Sequence, residues 1–98
     1  MQTEKSQELI DYVRARPGFW WWVPYNALTE VSVESAVEQT LIYGDLPDIK
    51  ELFSIIGRAR VAEIFFRQIS YPRSNYHPRT KNFFSIVFEE YAPGNTLP

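Results

Sequence analysis

A chain of 98 residues, 45% hydrophobic and 16% aromatic, has room for one domain that buries about two-thirds of its chain surface without staples. Cysteine is absent, which excludes disulfides and thiolate metal sites and suits the cytoplasm, the location expected of a chain with no signal-peptide pattern. The net charge of −2 hides a split: residues 1–57 carry nine acidic side chains against Lys5, Arg14, Arg16 and Lys50, whereas residues 58–81 carry Arg58, Arg60, Arg67, Arg73, Arg79 and Lys81 against Glu63 alone.

The first predicted element is a helix over 4–16, with Leu9, Ile10 and Val13 on one stripe, acidic residues early and Arg14 and Arg16 late, the order a helix dipole favours. Pro17-Gly18 ends it. Four consecutive aromatics follow, Phe19-Trp20-Trp21-Trp22. No regular backbone points all of them at one core: strand geometry splits them between two faces, and helix geometry fans them by about 100° per residue. At least one ring is therefore expected to look outward. Each carries roughly 150–250 Å² of surface, so Trp20, Trp21 and Trp22 are candidate contacts for a protein partner or a second copy. Pro24 disfavours helical geometry at Val23, so the run is expected to end extended and lead into a turn through Tyr25 to Leu28. Phe19 to Val23 is also the longest uninterrupted apolar stretch, far short of the roughly 18 residues needed to cross a membrane.

Thr29 or Ser32 caps a second predicted helix in which Val33, Ala36, Val37, Thr40 and Leu41 recur at helical spacing and Gly44 supplies a left-handed stop. Asp45 caps a third, with Pro47 in its first turn, Ile49, Leu52, Phe53 and Ile56 facing inward, and Gly57 at its end. A fourth helix over 58–69 carries Val61, Ala62, Ile64, Phe65, Phe66 and Ile69. After a polar connector from Ser70 to Tyr76, Pro78 opens a fifth that runs to about Tyr91 and turns Phe83, Phe84, Val87, Phe88 and Tyr91 toward the core. The pattern predicts an all-α, single compact domain over 1–98, with about five short helices, tight Gly-terminated connections, and frayed ends at 1–3 and 93–98.

Chemistry-bearing patterns are sparse, and no enzyme, cofactor or metal site is expected. His77 is the only histidine and precedes Pro78, the place of a cap. Ser74 with His77 lacks the elbow and oxyanion loop of a nucleophilic triad, and there is no glycine-rich phosphate loop. Glu89-Glu90 falls at a helix end and reads as solvated; Asp45 with Asp48 falls at a helix start and reads as capping. The helix-Gly-helix run from Asp48 to Gln68 resembles a DNA-binding helix-turn-helix only in outline. Phe53 stands four positions before the glycine, where close helix approach wants a small residue, and Glu63 stands six after it, where packing wants an apolar one.

The most site-like stretch runs from Arg73 to Phe83, interleaving cations with amides and aromatics at a helix start. Arg73, Asn75, Tyr76, Arg79 and Lys81 are its candidate partner-binding residues. The three cations are expected to converge on an acidic partner segment or an anion, against the alternative that they pair with the chain's own acidic half.

Several of these segments in order, namely Phe19-Trp20, Leu41-Ile42-Tyr43-Gly44-Asp45, Leu52-Phe53, Ile56-Gly57, Val61-Ala62-Glu63-Ile64-Phe65, Arg73-Ser74-Asn75-Tyr76 and then Pro78, Thr80, Asn82 and Phe83, carry a resemblance. Over residues 19–91 the chain resembles a family of small uncharacterised bacterial helical proteins often encoded beside nucleotidyltransferase-like toxins of the abortive-infection type. The resemblance implies no catalytic residues. It implies a non-enzymatic protein-interaction module, an accessory or antitoxin-like partner of such a toxin. Trp21 and Trp22 fall outside the matched features. The alternative expectation is a small nucleic-acid-binding regulator using the basic segment 58–81.

Overall fold

The computed structural model describes residues 7–71 and 74–91. Over these residues the chain is all-α, with helices α1 (Gln7–Arg14), α2 (Val33–Tyr43), α3 (Leu46–Ile56), α4 (Arg58–Ile69) and α5 (Pro78–Val87) and 3₁₀ turns at Pro17–Trp20, Tyr25–Glu30 and Glu89–Tyr91.

Local chemistry sets the helix starts. Ser32, not Thr29, caps α2, its Oγ accepting from the Ser35 N–H at 3.0 Å. Asp45 and Asp48 form a reciprocal box at the start of α3, each carboxylate accepting the other's backbone N–H, at 3.5 and 3.1 Å. His77 caps α5, Nδ1 accepting from the Arg79 N–H at 3.2 Å. Gly57 takes φ +91°, which side-chain-bearing residues rarely adopt, and so lets α4 start directly after α3. Gly44 is different. Its φ of −78° and ψ of 156° are extended, not left-handed as expected; glycine suits the site because a Cβ would stand 2.7 Å from the Thr40 carbonyl oxygen and 3.0 Å from Asp48 Cβ.

The helices pack around α3 and α2: α1 on α3 and on the Tyr25–Glu30 turn, α2 on α3, α4 and the Pro17–Trp20 turn, and α3 on α4. Every apolar residue expected to face inward from α2 is buried, and so are Val61, Ala62, Ile64 and Phe65 of α4. Phe65 is the hub of the aromatic core, with ring centroids of Phe66, Tyr76, Phe88 and Phe84 between 5.2 and 6.1 Å away. At the other end Arg16 ties α1 to α3. Its Nε meets Asp48 Oδ1 at 2.9 Å, one terminal nitrogen meets Glu51 Oε1 at 2.8 Å, and its guanidinium lies 3.9 Å from the centroid of the Tyr12 ring.

Other expectations are corrected as well. Tyr12, absent from the predicted α1 stripe, is buried with its hydroxyl against Thr40 Oγ1 at 2.8 Å, while Ile10 is only half-buried. Only the end of the aromatic run, at Val23, is expected to be extended; before that end the run curls through a 3₁₀ turn, with Trp21 helical at φ −59° and ψ −22°, the Phe19 N–H donating back to the Arg16 carbonyl and the Val23 N–H to that of Trp20. The fifth helix stops at Val87, Phe88 leaving helical geometry, and Phe83 faces solvent because Phe84 and Phe88, four positions apart, occupy the inward line.

Candidate functional site

The aromatic run separates into an anchor and an exposed pair. Trp20 is a core residue, 1% exposed, with its indole N–H donating to Ser35 Oγ at 3.0 Å, so this candidate contact is spent on the core and presents almost no surface of its own. Phe19 packs half-buried between Trp20 and Tyr43, at 5.7 and 6.3 Å. Trp21 and Trp22 stand outside, 75% and 51% exposed, edge-to-face with centroids 5.6 Å apart. Tyr25, also exposed, extends the surface and carries the Arg14 guanidinium 5.7 Å from its ring centroid.

Trp22 also borders an open groove of about 340 Å³ whose floor includes Trp20, Val23, Ala27 and Val31 and whose rim holds Glu30, Ser32 and Ser35. The two serines are engaged, Ser32 as the α2 cap and Ser35 as acceptor from Trp20, so the groove offers a carboxylate beside apolar surface and no poised nucleophile. The 3₁₀ turn that ends in the buried Trp20 indole is followed directly by the two exposed rings, which touch edge-to-face.

The connector before α5 is built differently. Tyr76 is buried, edge-on to Phe65, and its hydroxyl donates to Gln68 Oε1 at 2.6 Å, while Gln68 Nε2 donates to the Glu34 carbonyl at 2.9 Å. Burial pushes the Tyr76 phenol well above its ordinary range, with the nearby Glu38 carboxylate adding to the effect. Asn75 donates to Glu38 Oε2 at 2.9 Å. Both residues are expected from the sequence to contact a partner; instead Asn75 ties the connector to Glu38 of the chain's own acidic half, and Tyr76 ties it to Gln68 and Phe65 of α4. Arg73 lies outside the described residues. Arg79 is exposed and Lys81 half-buried, and two positions apart on a regular helix they project about 200° apart, so these two cations do not converge.

The rest of the basic segment is largely engaged within the domain. Arg67 reaches Glu34 at 3.7 Å and Glu63 at 3.6 Å, Arg60 meets Glu63 at 3.0 Å, and Arg58 donates to the Val87 carbonyl at 3.0 Å while lying over the Phe53 and Phe88 rings. Among the described residues no cluster of three or more histidine or acidic side chains stands ready for a metal ion, and no helix is long and apolar enough to cross a membrane. Comparison with protein-family models, with curated proteins and with solved structures finds no match.

Sequence reasoning missed the Arg16 cluster and the exposed Phe83. Arg16 was legible only as a charge near a helix end, since its partners lie 32 and 35 positions away.

Proposed function

We propose that the chain is a non-enzymatic protein-interaction module whose contact surface is Trp21, Trp22 and Tyr25 with the adjoining groove. The observation that carries this reading is the 75% exposed Trp21 set edge-on against a half-exposed Trp22 on a turn that Trp20 holds in place. Exposed tryptophans of this kind are the usual anchors of interfaces. The resemblance to helical proteins encoded beside nucleotidyltransferase-like toxins makes such a toxin, bound in an antitoxin-like or accessory role, the first partner to test. A nucleic-acid role finds less support, because most of the described basic side chains of 58–81 already pair with carboxylates or cover aromatic rings.

The test is co-purification from the native host and with candidate toxins, using the wild-type chain beside a Trp21→Ala/Trp22→Ala variant. A stoichiometric partner held by the wild type should be lost from the variant, with helical content unchanged and affinity weakened by about 2 kcal/mol or more. Retention of the partner at equal affinity by the variant, or mixed oligonucleotides binding with a steep salt dependence and no protein partner, would overturn the reading.

A further inference from the structure

The outward face of α5 carries a pattern the proposed contact surface does not use. Phe83 and Ile86 are 58% and 62% exposed, and Arg79 and Glu90, in the 3₁₀ turn that continues the helix, are exposed on either side of them. The spacing 79, 83, 86, 90 is four, three, four. At about 100° per residue Arg79, Phe83 and Ile86 fall within roughly 60° of arc on α5, a single seam like the a/d line of a coiled coil and well away from the buried Phe84, while Glu90 is exposed in the 3₁₀ turn beyond the end of the helix. Neither Arg79 nor Glu90 has an ion-pair partner among the described residues.

The seam is complementary to itself when reversed. Its centre lies midway between Phe83 and Ile86; Arg79 lies five and a half positions before it, about 8 Å along the helix axis at 1.5 Å per residue, and Glu90 the same number of positions after it, in the turn beyond the helix. From this geometry we infer that α5 is the face of an antiparallel two-fold dimer. In it Phe83 packs against the second copy's Ile86, Ile86 against the second copy's Phe83, and each Arg79 meets the other copy's Glu90. A two-fold axis makes every contact occur twice, so one residue pair of opposite charge becomes two ion pairs flanking a four-residue apolar centre. A parallel arrangement would instead set Arg79 against Arg79 and Glu90 against Glu90, which the charges oppose. The charge order along the seam therefore selects both the occupant, a second copy of this chain, and its direction.

A seam of this length covers on the order of 300–400 Å² per copy, below the roughly 800 Å² per partner of a stable specific interface, so the expected association is weak and reversible. This face is separate from the Trp21/Trp22 surface, and the two readings fail independently.

Sedimentation equilibrium of the full chain from micromolar to several hundred micromolar should show the mass rising from 11.5 kDa toward twice that value. Arg79→Glu alone and Glu90→Arg alone each place like charges opposite one another and should raise the Kd about tenfold or more. The double variant R79E/E90R should return to within about threefold of the wild type, and an equimolar mixture of the two single variants should form heterodimers that neither forms alone, since each then offers the other its missing charge. Ile86→Asp should abolish association, with circular dichroism confirming that helical content is kept, and Trp21→Ala/Trp22→Ala should leave it unchanged. A chain that stays monomeric throughout this range overturns the inference. So does a dimer whose Kd is indifferent to both charge reversals, or one that the mixture fails to restore.

Discussion

Two parts of this molecule are rich in aromatic rings, and they end differently. Around Phe65, rings drawn from the connector at Tyr76, from α5 and from Phe88 just beyond it all meet the Phe65 ring, and Phe65, Phe84, Phe88 and Tyr76 are each 5% exposed or less. At Phe19–Trp22, four rings lie next to each other in the chain, and only Trp20 is fully buried. The difference is one of spacing. Rings set four apart on a helix, or brought from separate elements, share a side; consecutive rings leave the backbone in different directions and so cannot all enter one core, even where their edges touch. One region thus supplies cohesion, and the other supplies a surface.

The comparison breaks most readily at the core. Phe65→Ala removes the ring that four others touch and should lower unfolding free energy by about 3–5 kcal/mol, read as a shifted urea midpoint at constant slope. A loss below about 1 kcal/mol would mean that the cluster is not the cohesive half. Trp20→Phe should come next, at about 1.5–3 kcal/mol, since it both shrinks a buried ring and leaves Ser35 Oγ without its donor.

A smaller effect separates the two ends of the domain by pH. Burial raises the phenol pKa values of Tyr12 and Tyr76 above the ordinary 10.0, so their contribution is complete below about pH 10 and declines as pH rises beyond it. The hydrogen bond from Arg16 holds the Asp48 carboxyl below its ordinary 3.8, so its contribution is present above that value and is lost as pH falls through the lower folded value. Thermal melts across pH should accordingly decline at both extremes, with Arg16→Met flattening the acid limb and Tyr76→Phe the alkaline one. If Arg16→Met leaves the acid limb unchanged, the Arg16–Asp48 pair does not carry it. The smallest effect belongs to the surface: Trp21→Ala and Trp22→Ala should each change stability by no more than about 0.5 kcal/mol, and a larger loss would place those rings with the core after all.

Much of the fold was legible locally. Ser32, Asp45 and Pro78 mark helix starts because capping and the missing proline N–H act within three or four residues, and Gly57 marks an end because its backbone angle excludes other residues. The five-helix order and the burial of Val33, Ala36, Val37, Thr40 and Leu41 follow from periodicity alone. The outward turn of part of the Phe19–Trp22 run was equally legible, since it follows from adjacency.

Which rings turned outward was decided by contacts at long range. Trp20 is drawn in by Ser35, fifteen positions on, and Tyr12 by Thr40, twenty-eight positions on, neither of which leaves a mark in a short window of sequence. Asn75 and Tyr76 look like site residues by composition and become ties because α2 and α4 bring Glu38 and Gln68 beside them. Phe83 carries the same helical pattern as its neighbours and lies outside because the aromatic core is closed by Phe84 and Phe88. Sequence settles steric and hydrogen-bonding choices within a turn of chain. Only the folded packing settles which of several equally apolar side chains finds a partner and which is left to seek one elsewhere.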